Sequence, residues 1–181
     1  VQSLLRSTAN SGFGEVDAGQ IATIDSLGGA VGAALESRDT ETVKRLSAEL
    51  NGIVTYYGDS FYDSQRLTRD QHILLATDTY QGQVTADLVR GWLHMRGFAS
   101  VQVQRFTGLS TRNQQAFTAG VARLIEWAGA TLPGYREGGY RVVFSLVGGF
   151  KSLQGYMNTL GMLYADEITY IFENRDAGLI R

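Results

Sequence analysis

Apolar and polar positions along this chain change their period several times, and each change marks a boundary. His72 to Thr77 (HILLAT) is a short apolar run that ends at Asp78-Thr79, the length of a buried strand rather than of a helix. Val84, Leu88 and Trp92 then recur at steps of four, one face of a helix that starts at about Gln81 and that Gly97 closes. Val101 and Val103 alternate with Gln102 and Gln104 as in a half-buried strand, which Gly108 breaks. From Thr111 to about Ala128, the spacing of Phe117, Val121, Leu124 and Ile125 predicts a second helix, capped by Ser110 or Thr111. Gly129 to Gly139, with the single proline Pro133, reads as a surface connection. A strand from Tyr140 follows, carrying Val142, Val143 and Phe144, and ends at Gly148-Gly149. Leu153, Met157, Leu160 and Met162-Leu163 pattern a further helix, and Glu167 to Phe172 a last strand.

The first third reads as helical. Asp17 to about Leu35 carries Ile21, Ile24, Leu27 and Val31, weakened by Gly28, Gly29 and Gly32, and a second helix spans roughly Thr40 to Tyr56, with Asp39 and Thr42 as its start signal. Strands separated by helices need a parallel sheet with right-handed crossovers. The expected class is therefore α/β: a Rossmann-like, open, mainly parallel sheet with helices on both faces. Residues 1–181 read as one domain. Val1-Gln2-Ser3 leaves almost no room for a first strand, and Gly178 to Arg181 is an apolar fragment after a strand, so both ends read as cut.

Composition narrows the ligand. With 44% hydrophobic and 19% charged residues the chain is an ordinary globular protein. A net charge of −2 argues against affinity for long nucleic acid, which needs a broad basic face, but leaves room for a small anion on a local patch. Zero cysteines exclude disulfides, thiol catalysis and cysteine–zinc sites, and fit a reducing cytoplasm. No apolar run approaches a membrane span and the start is not a signal peptide.

The chemistry concentrates where the Tyr140 strand meets its helix. Paired glycines let backbone N–H groups approach an anion, the helix N-terminus adds donors and partial positive charge, and Lys151 adds a full one. A tight strand-to-helix turn explains the same glycines without any ligand. Ligands of open parallel sheets sit beyond the carboxyl ends of the strands. The turns after Thr77 and Val147 belong there, as does Ser3 if a strand precedes it, and they are expected to converge. Gly148, Gly149 and Lys151 would hold phosphate, Asp78, Thr79 and Gln81 ribose hydroxyls or adenine edges, and Ser3 and Ser145 would donate further bonds. Asp78-Thr79 is also expected to cap the following helix. His72 and His94 read as structural, and no metal or cofactor is implied. Trp92 and Trp127 read as core or dimer packing, and the cluster Tyr56-Tyr57, Phe61 and Tyr62 as a covering loop or a contact with another domain.

The blocks Ser3 to Ser7 (SLLRS), Leu74 to Gly82 (LLATDTYQG) and Arg141 to Glu173 (RVVFSLVGGFKSLQGYMNTLGMLYADEITYIFE) resemble the CRISPR-associated Rossmann-fold (CARF) domain of type III CRISPR accessory proteins. The resemblance covers most of the chain in order. It implies a homodimeric sensor of cyclic oligoadenylate, most often cyclic tetra-adenylate, that controls a fused or associated effector in antiviral defence. It implies a cytoplasmic location, or a tether on the cytoplasmic side of a membrane if an absent segment is an anchor. An even-membered ring suits a twofold axis on which each copy supplies the same half-site. The implied ligand contacts are Ser3, Leu4, Asp78, Thr79, Gln81, Gly82, Ser145, Val147, Gly148, Gly149, Phe150 and Lys151.

The family's turn usually reads Asn-x-Thr-Gly-Gly-Phe-Lys. Here it is Ser145-Leu146-Val147-Gly148-Gly149-Phe150-Lys151, which lacks one amide and one hydroxyl. Some members cleave their ligand without metal, a ribose 2′-OH attacking the adjacent phosphorus while the lysine stabilises charge. In a ring nuclease of that kind the catalytic residues would be Lys151 and Ser3, and the altered turn counts against it. A plain dinucleotide-binding domain fits less well, because no G-x-G-x-x-G opens a first strand–helix unit.

Overall fold

The structure, a computed structural model, describes residues 33, 44, 47–110, 113–148, 151–171 and 178–181. Its elements are, in chain order, α1 (Ala48–Tyr57), a 3-10 turn (Gly58–Tyr62), α2 (Ser64–Arg69), β1 (Gln71–Ala76), α3 (Tyr80–Met95), β2 (Ser100–Arg105), α4 (Gln114–Glu137), β3 (Val143–Ser145), α5 (Lys151–Tyr164), β4 (Glu167–Ile171) and β5 (Leu179–Ile180). The fold is mixed α/β. The residues group into two compact units, one from Asp59–Arg105 and one from Ser47–Gly58 with Phe106–Arg181.

The first unit is a strand–helix–strand crossover. β1 and β2 pair in parallel from Gln71 opposite Ser100 to Ala76 opposite Arg105, so both strands end at the same level. Trp92 and Leu93 on α3 and Phe61 and Phe98 are buried, with Phe61 centred 5.6 Å from Trp92 and 5.7 Å from Phe98. The expectation of Phe61 as part of a covering loop is corrected. The 3-10 turn folds its ring into the core, while Tyr62 stays exposed. α3 closes where the pattern placed its end, with the Gly97 N–H on the His94 carbonyl and the Phe98 N–H on that of Leu93.

The second unit repeats the crossover. β3 and β4 pair in parallel, Ser145 opposite Thr169, and β5 adds antiparallel to β4, with Tyr170 opposite Ile180. The apolar tail at Leu179 is thus a strand, which its two residues are too short to announce by pattern. Leu50 and Val54 of α1, Val121, Leu124, Ala128 and Leu132 of α4, and Leu160 of α5 are buried here.

Three further expectations are corrected. The helix read over Thr40 to Tyr56 is interrupted: Lys44 is helical, but Ser47 is extended at φ −137° and caps α1, its Oγ accepting from the Leu50 N–H at 3.2 Å. The helix from Thr111 instead starts at Gln114 under an Asn113 cap, and runs through Gly129 and Pro133 to Glu137. Leu124, Ala128 and Leu132 form one buried stripe that runs up to the proline. Burying that stripe outweighs the about 3 kcal/mol a proline costs a helix interior. The stop is Gly138-Gly139, where the Tyr140 N–H bonds back to Tyr135 and the Gly139 N–H to Arg136. Finally, Ile125, Met162 and Leu163 are exposed, so the buried stripes of α4 and α5 are narrower than the pattern implied. The helix read over Asp17 to Leu35 lies outside the described residues apart from Ala33, which is helical.

Candidate functional site

The turn after β3 carries four of the expected residues within the described chain: Ser145, Val147, Gly148 and Lys151. Gly149 and Phe150 lie outside it, as do Ser3 and Leu4. β3 ends at Ser145, and the Leu146 N–H still bonds to the Thr169 carbonyl at 2.9 Å before the chain leaves the sheet. Gly148 has φ +94°, a region that side chains disfavour and glycine enters freely. Lys151 is the first residue of α5 and is exposed. The residue therefore belongs to the helix end where unpaired N–H groups and the positive pole of the dipole already favour anions. The Gln154 amide donates to the Gly148 carbonyl at 3.3 Å, tying the turn to the helix's first residues.

α1 also belongs to this turn, which the sequence does not signal. A Cβ on Gly52 would lie 3.0 Å from Val147 Cγ2 and 3.1 Å from Ser145 Oγ, so this helix rests directly on the end of β3. One turn earlier, the Glu49 carboxylate lies against Gly148, in the space a Cβ there would need. The Ser47 hydroxyl bonds to Glu49 Oε2 at 3.0 Å. The glycine turn is flanked by a cation and an anion. An incoming phosphate is attracted by Lys151 and α5 and repelled by Glu49.

The other turn, after β1, has a different build. Thr79 caps α3, its Oγ1 accepting from the Gly82 N–H at 3.0 Å and lying 2.9 Å from Thr77 Oγ1. Gly82 is required by close approach, since a Cβ would come within 2.9 Å of the Thr77 carbonyl oxygen. Gln81 is exposed. The Asp78 carboxylate reaches Arg105 Nη2 at 3.0 Å, and Arg105 Nη1 donates to Gln83 Oε1 at 3.0 Å. Arg105, the last residue of β2, is the cation that sequence reasoning missed. Its signal was a charged residue closing an alternating strand.

Both histidines have structural surroundings. The His72 ring stands edge-on to Phe98 at 4.7 Å, and burial lowers its pKa from 6.5 to about 4, with Asp70 opposing the shift. His94 Nδ1 is 2.9 Å from the Phe98 carbonyl oxygen. Among the described residues no three His, Asp or Glu side chains gather as a metal site, and no helix is long and apolar enough to cross a membrane.

The model of a family described as CRISPR-associated protein (Cas_APE2256) matches residues 44–179, a span that includes both turns. Among curated proteins nothing matches.

Proposed function

The chain belongs to the CRISPR-associated Cas_APE2256 family, and on that premise we propose that it is a CARF-type sensor of cyclic oligoadenylate, with cyclic tetra-adenylate its foremost ligand. Family membership supports a role in CRISPR defence.

The observation that carries the proposal is Gly148 at φ +94° beyond the end of β3, followed by Lys151 opening α5. A cyclic oligonucleotide has no terminal phosphates, and each of its linkages carries one negative charge. It therefore needs local backbone donors and a local cation more than a broad basic face, which the net charge of −2 argues against. In this reading the Ser145–Lys151 turn takes phosphate, and Thr79, Gln81 and Gly82 take ribose or adenine edges beside Asp78, whose carboxylate is held by Arg105. Ser3 and Leu4 add contacts from the start of the chain. The protein is a Rossmann-like homodimer, each copy binding half of the ring, and it passes the signal to a fused or associated effector. It works in the cytoplasm, or tethered on that side of a membrane.

The experiment is to incubate the protein, in excess and in EDTA, with labelled cyclic tetra-adenylate, then resolve both the complex and the products. An intact ring retained by a dimer is the expected result. Linear di-adenylate ending in a 2′,3′-cyclic phosphate would make the protein a metal-independent ring nuclease acting through Lys151 and Ser3. No uptake of any oligoadenylate ring would sink the proposal.

A further inference from the structure

We infer that Arg105 binds a phosphodiester of the ligand directly, and that Asp78 and Gln83 are the residues that position it. The inference rests on the reading of the protein as a cyclic oligoadenylate sensor, but neither the sequence pattern nor the family match names Arg105.

Three features point to it. The first is place. Arg105 closes β2 opposite Ala76, which closes β1, so its side chain leaves from the carboxyl edge of a parallel pair, the edge at which α/β proteins take their ligands. The second is support. Asp78 Oδ1 and Gln83 Oε1 each accept from a different terminal nitrogen of the guanidinium at 3.0 Å, which fixes its plane. Gln83 is itself held: its amide donates to Asp87 Oδ2 at 2.8 Å, and buried Asp87 pairs with Arg90 at 2.8 Å. The amide of Gln83 is thereby oriented with its oxygen toward Arg105. The third is exposure. The Arg105 side chain is 37% exposed, and an ion pair so open to water adds little to stability. A chain of supports this long is out of proportion to that gain. It suits a planar fork held ready for phosphate, which arginine recognises better than lysine does.

The alternative is a surface ion pair that merely staples β2 to the β1–α3 turn. The two readings differ in the sign of one mutation. Asp78→Asn removes a negative charge near an anionic ligand, so simple electrostatics expects tighter binding, whereas loss of positioning expects weaker binding.

The test titrates labelled cyclic tetra-adenylate against the full chain, with thermal unfolding of every variant as a check of fold. Arg105→Ala is expected to weaken binding by roughly 10- to 100-fold and to reduce the slope of log affinity against log salt by about one. Arg105→Lys should fall between it and wild type, and it remains informative if the alanine variant does not fold. Asp78→Asn and Gln83→Ala should each weaken binding several-fold. If the wild type binds and Lys151→Ala binds worse, but the Arg105 variants bind like wild type, this inference fails and the sensor function stands. If Asp78→Asn binds tighter, the positioning role fails. If the wild type takes up no ring, the sensor reading fails and takes this inference with it.

Discussion

The carboxylate of Glu49 lies against Gly148, so the first turn of α1 and the glycine turn after β3 occupy one another's margin. An alanine at position 148 meets two obstacles. One is backbone conformation at φ +94°, which costs a residue with a side chain about 1–2 kcal/mol. The other is the collision with Glu49. We expect Gly148→Ala to destabilise the protein in urea unfolding, and Glu49→Ala to relieve part of that loss in the double variant. Full relief would mean that the conformation contributes nothing. Strictly additive losses would mean that the contact does not matter.

Lys151 and Glu49 should act on ligand affinity in opposite directions. Lys151→Ala removes a charge-assisted bond and is expected to weaken cyclic tetra-adenylate binding by about 1.5–3 kcal/mol. Glu49→Gln removes a like charge and should tighten binding a few-fold at low salt, with the gain fading as salt screens it. Isothermal titration at two ionic strengths reads both. Equal affinity in all three proteins would show that the turn does not touch the phosphates.

At the β1–α3 junction the expected effects are structural. A methyl at position 82 would enter the space of the Thr77 backbone and side chain, and overpacking of this kind costs about 1–3 kcal/mol. Thr79→Ala removes the helix cap and should cost about 1 kcal/mol. Chemical denaturation gives both values. A Gly82→Ala variant as stable as wild type would mean that the junction yields easily, and would leave close packing without a role there.

Much of the fold was legible because its signals are local. Short apolar runs ending in Asp78-Thr79 or Gly148 mark strands, steps of four mark α3, and Gly97 marks its end, since each depends on residues close in sequence. Pro133 misled because proline's penalty is local, while the burial of Leu132 that overrides it depends on the whole second unit. Ser47 broke a pattern that apolar spacing alone continues, because a cap is set by one hydroxyl and its backbone partner. The site divides in the same way. Gly148 and Lys151 announce themselves as a glycine turn opening a helix. Glu49 reaches that turn only through the packing of α1 on β3, and Arg105 reaches Asp78 across 27 residues. Neither could be placed before the strands were paired.

His72 makes the protein's stability fall as the solution is acidified below about pH 6.5. Burial against Phe98 lowers its pKa from 6.5 to about 4, an effect that Asp70 only partly offsets. The unfolded chain therefore takes up this proton at a higher pH than the folded one does. Between those values the unfolded state binds more protons, so stability falls as pH drops from 6.5 toward 4, and the contribution is fully present above that window. The loss is at most about 3 kcal/mol. Carboxylates add their own acid limb, so the measurement must be differential: urea unfolding of wild type and His72→Phe at pH 7.5, 6, 5 and 4, values chosen to span the window. Phenylalanine keeps a ring against Phe98 and does not titrate. We expect the stability difference between the two proteins to shift in favour of His72→Phe as pH falls from about 6.5 to 4. A difference that stays constant across that range would mean that His72 protonates in the folded state as readily as in water.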